Sequence, residues 1–180
     1  MLNTLGKSFL VLFISVAIGG LIGCASLGGS SPPPTPAGKI GQMEIFDINQ
    51  ASEQEIYTAL YRDGSVAISG GILFAFDSDK INPEAESIVV KIANIMDQHL
   101  NLELAVVGYT DNTGDFNYNI GLSKRRADAI VNALVKDGVS RDRLAGVGVG
   151  PLNPIASNAT EQGRAENRRV ELVLIDLINN

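Results

Sequence analysis

An aspartate and an arginine fifteen positions apart, Asp111 and Arg126, are the side chains of this 180-residue sequence whose types and spacing best suit binding chemistry. Asp111 lies in GYTDNTGDFNYN (108–119), which crowds two aspartates, three asparagines, two threonines and two glycines into twelve positions. The stretch follows an apolar run and precedes a helical pattern, so it reads as a loop from a strand end to a helix start. Ligands gather at such places in α/β sheets, and helix-initial N–H groups favour anions there. Asp111 then stands at the strand end and Arg126 in the first turns of the helix. The two can form a salt bridge and nothing more. They can equally grip a zwitterion, the carboxylate accepting from an ammonium while the planar guanidinium takes a carboxylate in bidentate fashion. Spacing alone leaves both open.

Other chemistries lack their residues. His99 is the only histidine and sits at an expected helix end, which points to a structural role. No Cys–His pair exists, a Ser–His–Asp set around an end-of-helix histidine is untenable, and zinc has no ligand set. Gly146-Val147-Gly148-Val149-Gly150 imitates a nucleotide-binding glycine repeat, but it opens no helix and runs into Pro151. Asp111 to Asp115 has neither the spacing of a calcium loop nor its bidentate glutamate. Asn158-Ala159-Thr160 matches a glycosylation sequon. A formal charge of -6 argues against nucleic acid and against adhesion to an anionic membrane face. A non-enzymatic protein with no metal and no cofactor beyond a covalent lipid is expected.

The elements that must position Asp111 and Arg126 follow from periodicity. Ser52-Glu53-Gln54-Glu55 is a capping box, and Ile56, Tyr57 and Leu60 continue it as a short helix over about 52–62, ended by Gly64. Val66 and Ile68 alternate, Gly70-Gly71 breaks the run, and ILFAF (72–76) reads as a buried strand. Asn82-Pro83-Glu84 supplies an N-cap, a proline at N1 and an acid in the first turn of a helix ending near His99. Strands are expected at 102–109 and 144–149, with a helix at 122–136 between them and Gly138 just past its end. A charged segment (161–169) precedes a last strand, 170–175. Strands alternating with helices give an α/β (α+β) two-layer domain whose helices cover the sheet.

The N-terminal region reads differently. Phe9 to Gly23 is a continuous apolar and small-residue run behind Lys7, short for a membrane span but suited to the core of a signal peptide over 1–23. Leu21-Ile22-Gly23-Cys24 resembles a bacterial lipobox, which implies that Cys24, the only cysteine, is acylated. Several acyl chains there make attachment durable where a single chain holds a protein only marginally. Ala25 in place of Asp favours the outer membrane. Residues 24–39 are Gly, Ser and Pro with almost nothing to bury, a disordered tether. Residues 40–64 form a short extension with one helix, where a partner envelope protein has room to bind, and 65–180 form the main domain.

Four segments carry a resemblance. Phe74-Ala75-Phe76-Asp77-Ser78, Gly108 to Gly114 (GYTDNTG), the run from Tyr118-Asn119 through Leu122-Ser123 to Arg126-Ala127, and Asn167-Arg168-Arg169-Val170-Glu171 resemble the OmpA C-terminal domain family, in order, over about residues 70–176. The same domain occurs in peptidoglycan-associated lipoprotein and in the flagellar stator protein MotB. The resemblance implies a βαβαβ mixed sheet and non-covalent binding of peptidoglycan. It implies that Asp111 takes the ammonium, and Arg126 the carboxylate, of a diaminopimelate in the stem peptide. It further implies that Phe76, Asp77, Thr110, Asn119 and Leu122 line or support the groove, and that Arg169 lies near it. Tyr109 stands where many relatives have histidine. Each charge-assisted hydrogen bond contributes about 1.5–3 kcal/mol, so single-site affinity is modest and many tethered copies supply avidity. The expected partners are peptidoglycan, outer-membrane lipid and other envelope proteins.

Overall fold

A computed structural model describes residues 47–75 and 77–175. The expected signal peptide, Cys24, the expected tether and Phe76 lie outside the described residues. The first helix, α1 (Glu53–Asp63), starts as the capping box predicts: Ser52 Oγ accepts from the Glu55 N–H, and Glu55 Oε2 accepts from the Ser52 N–H at 2.8 Å. It stops at Gly64, whose φ of 77° closes the helix through an N–H bond to Leu60 O. Ile56 and Leu60 enter the same core as Ile88, Ile92 and Met96 of α3 (Glu86–Gln98). Polar bonds reinforce that packing. Lys91 Nζ donates to the carbonyls of Ile48, Asn49 and Ala51 at 3.3, 3.1 and 2.9 Å, and Asn94 and Gln98 both donate to the Glu53 carboxylate.

Four strands form one mixed sheet in the order β1-β4-β2-β3: β1 (Ser65–Ser69), β2 (Leu104–Tyr109), β3 (Leu144–Gly150) and β4 (Arg169–Leu174). β2 and β3 are parallel and joined by the long α4 (Phe116–Lys136), while β4 runs antiparallel to both β1 and β2. Val66, Ile68, Leu104, Val106, Val170 and Leu172 carry the sheet's contribution to the helix-covered core. The period of two then turns Arg169 and Glu171 to the opposite face, where both are nevertheless buried. Arg169 Nε donates to Glu171 Oε1 at 2.7 Å, the Tyr109 hydroxyl donates to Glu171 Oε2 at 3.0 Å, and the Arg169 guanidinium lies 3.7 Å from the Tyr109 ring centroid. This two-layer mixed sheet with covering helices is the expected fold class.

Three expectations about local structure are corrected. The first strand is Ser65–Ser69, not 72–76. At Gly70 the N–H bonds to Arg168 O at 2.7 Å, and a Cβ there would meet that oxygen at 2.8 Å. The chain instead makes a single helical turn, α2 (Gly70–Leu73), which buries Leu73, and the buried Phe74 follows in extended form as an isolated antiparallel bridge with Ile81. Asn82 stands at the N-cap, with Pro83 and Glu84 placed as expected, but its side chain makes no capping bond: Nδ2 donates to Ile72 O, and the turn it opens, Pro83–Ala85, is 3-10 and leads into α3. The third correction moves the start of α4 six residues earlier, to Phe116, because the Asp115 carboxylate accepts from the Tyr118 N–H at 2.8 Å and caps it. Asn119 is therefore helical, and Arg126 lies about three turns in. The charged segment after β3 folds as α5 (Glu161–Asn167), capped by Thr160.

Candidate functional site

Close packing of α4 on the sheet builds the site. A Cβ at Gly108 would sit 2.2 Å from Ser123 O, and one at Gly148 would sit 2.4 Å from Lys124 N, so only glycine lets the helix backbone lie directly on β2 and β3. This contact, rather than phosphate binding, is what the Gly146–Gly150 repeat serves. Ser123 Oγ then accepts from the Gly150 N–H at 2.9 Å and fixes the helix beside the carboxyl ends of the two strands.

A cavity of about 710 Å³ opens there, between the Gly70–Asp77 segment, the loop after β2, the near face of α4 and α5. Asp77, Asp111 and Glu161 line it together with Arg126, Arg164 and Arg168, three acids facing three guanidinium groups. Leu122 and Phe74 supply apolar wall.

Asp111 is only 8% exposed. Its Oδ1 accepts from the Thr113 N–H at 2.8 Å and its Oδ2 from Arg168 Nη1 at 2.6 Å. Burial pushes the carboxyl up, but Arg168 and the Thr113 N–H together outweigh it and hold the group below its ordinary value. Thr110 Oγ1 donates to Asp111 O, and Asn119 Nδ2 donates to Thr113 O at 2.8 Å, so both residues shape the loop that presents the carboxylate.

Arg126 is 6% exposed. Its Nε donates to Ser78 O at 2.8 Å, Nη2 makes a long contact of 3.5 Å to Ala75 O, and the guanidinium lies 5.3 Å from the Phe74 ring centroid. Among the described residues no carboxylate pairs with it, and its Nη1 has no hydrogen-bond partner. Burial lowers its proton affinity, with Asp77 opposing, yet a guanidinium stays charged at any ordinary pH. Asp77 adopts φ 51° and accepts from the Tyr118 hydroxyl at 2.7 Å, tying the first wall of the cavity to α4.

The structure thus brings Asp77, Thr110, Asp111, Asn119, Leu122 and Arg126 to one cavity. It does not bring Arg169 there. That side chain belongs to the buried Glu171–Tyr109 cluster on the other face of the sheet, and its neighbour Arg168 lines the cavity instead. A signal for this was present: Val170 and Leu172 point inward, so alternation pairs Arg169 with Glu171 and leaves Arg168 to the other side. Asn158, of the sequon, is structural, its Oδ1 accepting from Asn167 Nδ2 and the Asn112 N–H.

The mixed sheet and the charged cleft at the end of β2 define an α/β domain of a recognised kind. The chain belongs to the OmpA family, whose profile matches residues 73–168. It is 39% identical over 106 residues to the probable lipoprotein YiaD of Escherichia coli, covering 59% of this chain and 48% of YiaD. It is 44% identical over 109 residues to the peptidoglycan-binding protein ArfA of Mycobacterium tuberculosis, covering 60% of this chain and 33% of ArfA. The chain therefore spans half or less of the length of these two relatives. Similarity to the putative lipoprotein YfiB of Escherichia coli is longer, 34% over 159 residues, covering 86% of this chain and 89% of YfiB. Among solved structures, the peptidoglycan-associated lipoprotein of Burkholderia pseudomallei superposes with a TM-score of 0.54 at 30% identity, covering 57% of this chain and 87% of that one.

Proposed function

We propose that this chain is a non-enzymatic outer-membrane lipoprotein that holds the cell wall. In this reading Cys24 carries the lipid, residues 24–39 are the leash, and the domain from 65 onward binds peptidoglycan through the zwitterionic end of a stem-peptide diaminopimelate. One observation carries it: Arg126 is a buried guanidinium without a carboxylate partner among the described residues, and it opens on the same cavity as the Asp111 carboxylate. An unpaired buried charge is costly to a fold unless a ligand completes it. The ligand that completes Arg126 is a carboxylate, and the one that suits Asp111 is an ammonium. A diaminopimelate end offers both on one carbon. The names of ArfA, a peptidoglycan-binding protein, and of the peptidoglycan-associated lipoprotein support the same ligand class.

Co-sedimentation with diaminopimelate-type sacculi tests the site. The wild-type chain pellets with the wall, and Asp111→Asn and Arg126→Ala each abolish pelleting without unfolding the domain. Undiminished binding by both variants refutes the assignment, and equal binding to lysine-type sacculi refutes the specificity. The lipid anchor is tested separately: Cys24→Ser leaves the membrane fraction for the soluble one.

A further inference from the structure

Two jaws, Asp111 and Arg126, leave unexplained a chain of alternating charge that ends on Asp111. Arg168 Nη1 donates to Asp111 Oδ2 at 2.6 Å while its Nη2 donates to Glu161 Oε1 at 2.8 Å. Glu161 Oε2 in turn accepts from Nε and Nη2 of Arg164 at 3.0 and 2.7 Å, and Arg164 Nη1 donates to Asn158 O. The scaffold beneath is rigid. Asn167 is fully buried, its Oδ1 accepting from the N–H groups of Ile155 and Ala156 and its Nδ2 donating to Ala156 O and Asn158 Oδ1. The Arg168 N–H closes on Arg164 O at 3.0 Å. Arg168 therefore reaches Asp111 from a framework that owes nothing to a ligand.

Each Asp111 oxygen accepts one bond from the described residues, so each retains acceptor capacity for an incoming N–H. A carboxylate in this half-enclosed position, deprived of its partner, turns more freely and is driven by burial toward its neutral form, which accepts an ammonium poorly. The other charged groups of the cavity (Glu161, Arg164, Arg126 and Asp77) make no bond to Asp111, and the Tyr118 hydroxyl is committed to Asp77. Arg168 alone supplies a cation in contact with it among the described residues.

We propose that Arg168 is a positioning residue of the site: its bond to Oδ2, braced by Glu161 and α5, holds the Asp111 carboxylate in the one orientation from which it accepts the ligand's ammonium. The inference rests on the peptidoglycan reading above and adds a residue to it. Arg168 works through Asp111 and need not touch the ligand.

Two measurements on the full chain in detergent test it, with Arg168→Gln and Arg168→Lys as variants. One is the NMR titration of the Asp111 carboxyl carbon without ligand; the other is co-sedimentation with diaminopimelate-type sacculi as a function of pH. In Arg168→Gln the carboxyl titrates at higher pH, neutral-pH wall binding falls about tenfold, as loss of one charge-assisted bond entails, and the acid limit of binding rises in parallel. Arg168→Lys recovers part of all three. An unmoved Asp111 titration in Arg168→Gln overturns the inference. So does weakened binding whose acid limit stays in place, because that marks a direct ligand contact or a merely structural loss. Should Arg168→Gln fail to fold, Arg168→Lys, which keeps a charge but loses the fork between Asp111 and Glu161, raises the Asp111 titration and the acid limit of binding together by a smaller amount, and no shift in either is equally fatal. If the titration shifts as expected but the wild-type chain binds no sacculi at any pH, the peptidoglycan reading falls and the arrangement of Asp111 by Arg168 stands.

Discussion

Asp111 and Arg126 share a cavity without sharing an ion pair: the Asp111 carboxylate is held by Arg168 at 2.6 Å, and Arg126 is held by the carbonyl of Ser78 at 2.8 Å. A direct bridge between them would have neutralised both and closed the site. Separate anchoring keeps one anionic and one cationic group available to a ligand that carries both charges.

The cost of that arrangement falls on Arg126, which is buried without a counter-ion among the described residues. Replacing such a charge by an apolar side chain of similar length is neutral or stabilising by about 1 kcal/mol or more, because the desolvation penalty disappears. Arg126→Met is therefore expected to leave the urea midpoint unchanged or raised while wall binding is lost. A large drop in the midpoint would show that the Ser78 bond and the Phe74 contact outweigh desolvation.

Asp111 sets an acid limit. Its carboxyl lies below the ordinary 3.8 in the folded chain, so its ionised form stabilises the fold above the unfolded value, and that contribution fades as pH falls through the lower folded value. The same protonation removes the acceptor for an ammonium. Wall binding is expected to be equal at about pH 5 and about pH 7 and to fail only below the ordinary carboxylate range. Co-sedimentation across that interval checks it, and a midpoint near or above the ordinary value would contradict it.

Arg168 and Arg169 are expected to separate by phenotype. Arg169→Met leaves Glu171 buried with only the Tyr109 hydroxyl and no cation among the described residues, which costs about 3–5 kcal/mol of stability. Below its melting temperature, however, this variant retains wall binding, since Arg169 does not line the cavity. Thermal unfolding and co-sedimentation on the same preparation decide this.

Gly108→Ala tests how closely α4 must approach β2. The new methyl would meet the backbone oxygen of Ser123 at 2.2 Å, with no flexible side chain to yield. Overpacking of this kind costs about 1–3 kcal/mol or more. Because the displaced helix carries Asn119, Leu122 and Arg126, wall binding is expected to weaken more than the melting temperature alone explains.

Much of the fold was legible from local rules. The Ser52–Glu55 capping box, the closing Gly64, the apolar stripe of α3 and the strands expected at 102–109, 144–149 and 170–175, each within two residues of its observed bounds, follow from side-chain type at fixed spacing, because they depend on hydrogen bonds and periodicity within a few residues. The misplaced first strand did not, since ILFAF is apolar enough for a strand and only the approach of Arg168 O to Gly70 turns the chain there. The early start of α4 escaped the apolar pattern as well, since Phe116–Asn119 carries polar and exposed residues, and the Asp115 cap rather than periodicity begins the helix.

The sequence by itself determined where two opposite charges stand: one acid at a strand end and one arginine on the following helix. Only the tertiary structure decided how these charges are kept apart. The partner of Asp111 comes from a residue 57 positions away, at the junction of α5 and β4. Which of two adjacent arginines reaches it depends on which side of the chain faces the cavity once β4 is inserted between β1 and β2. Alternation about Val170 and Leu172 separates the two arginines, but which side of the strand opens on Asp111 is set by long-range strand pairing.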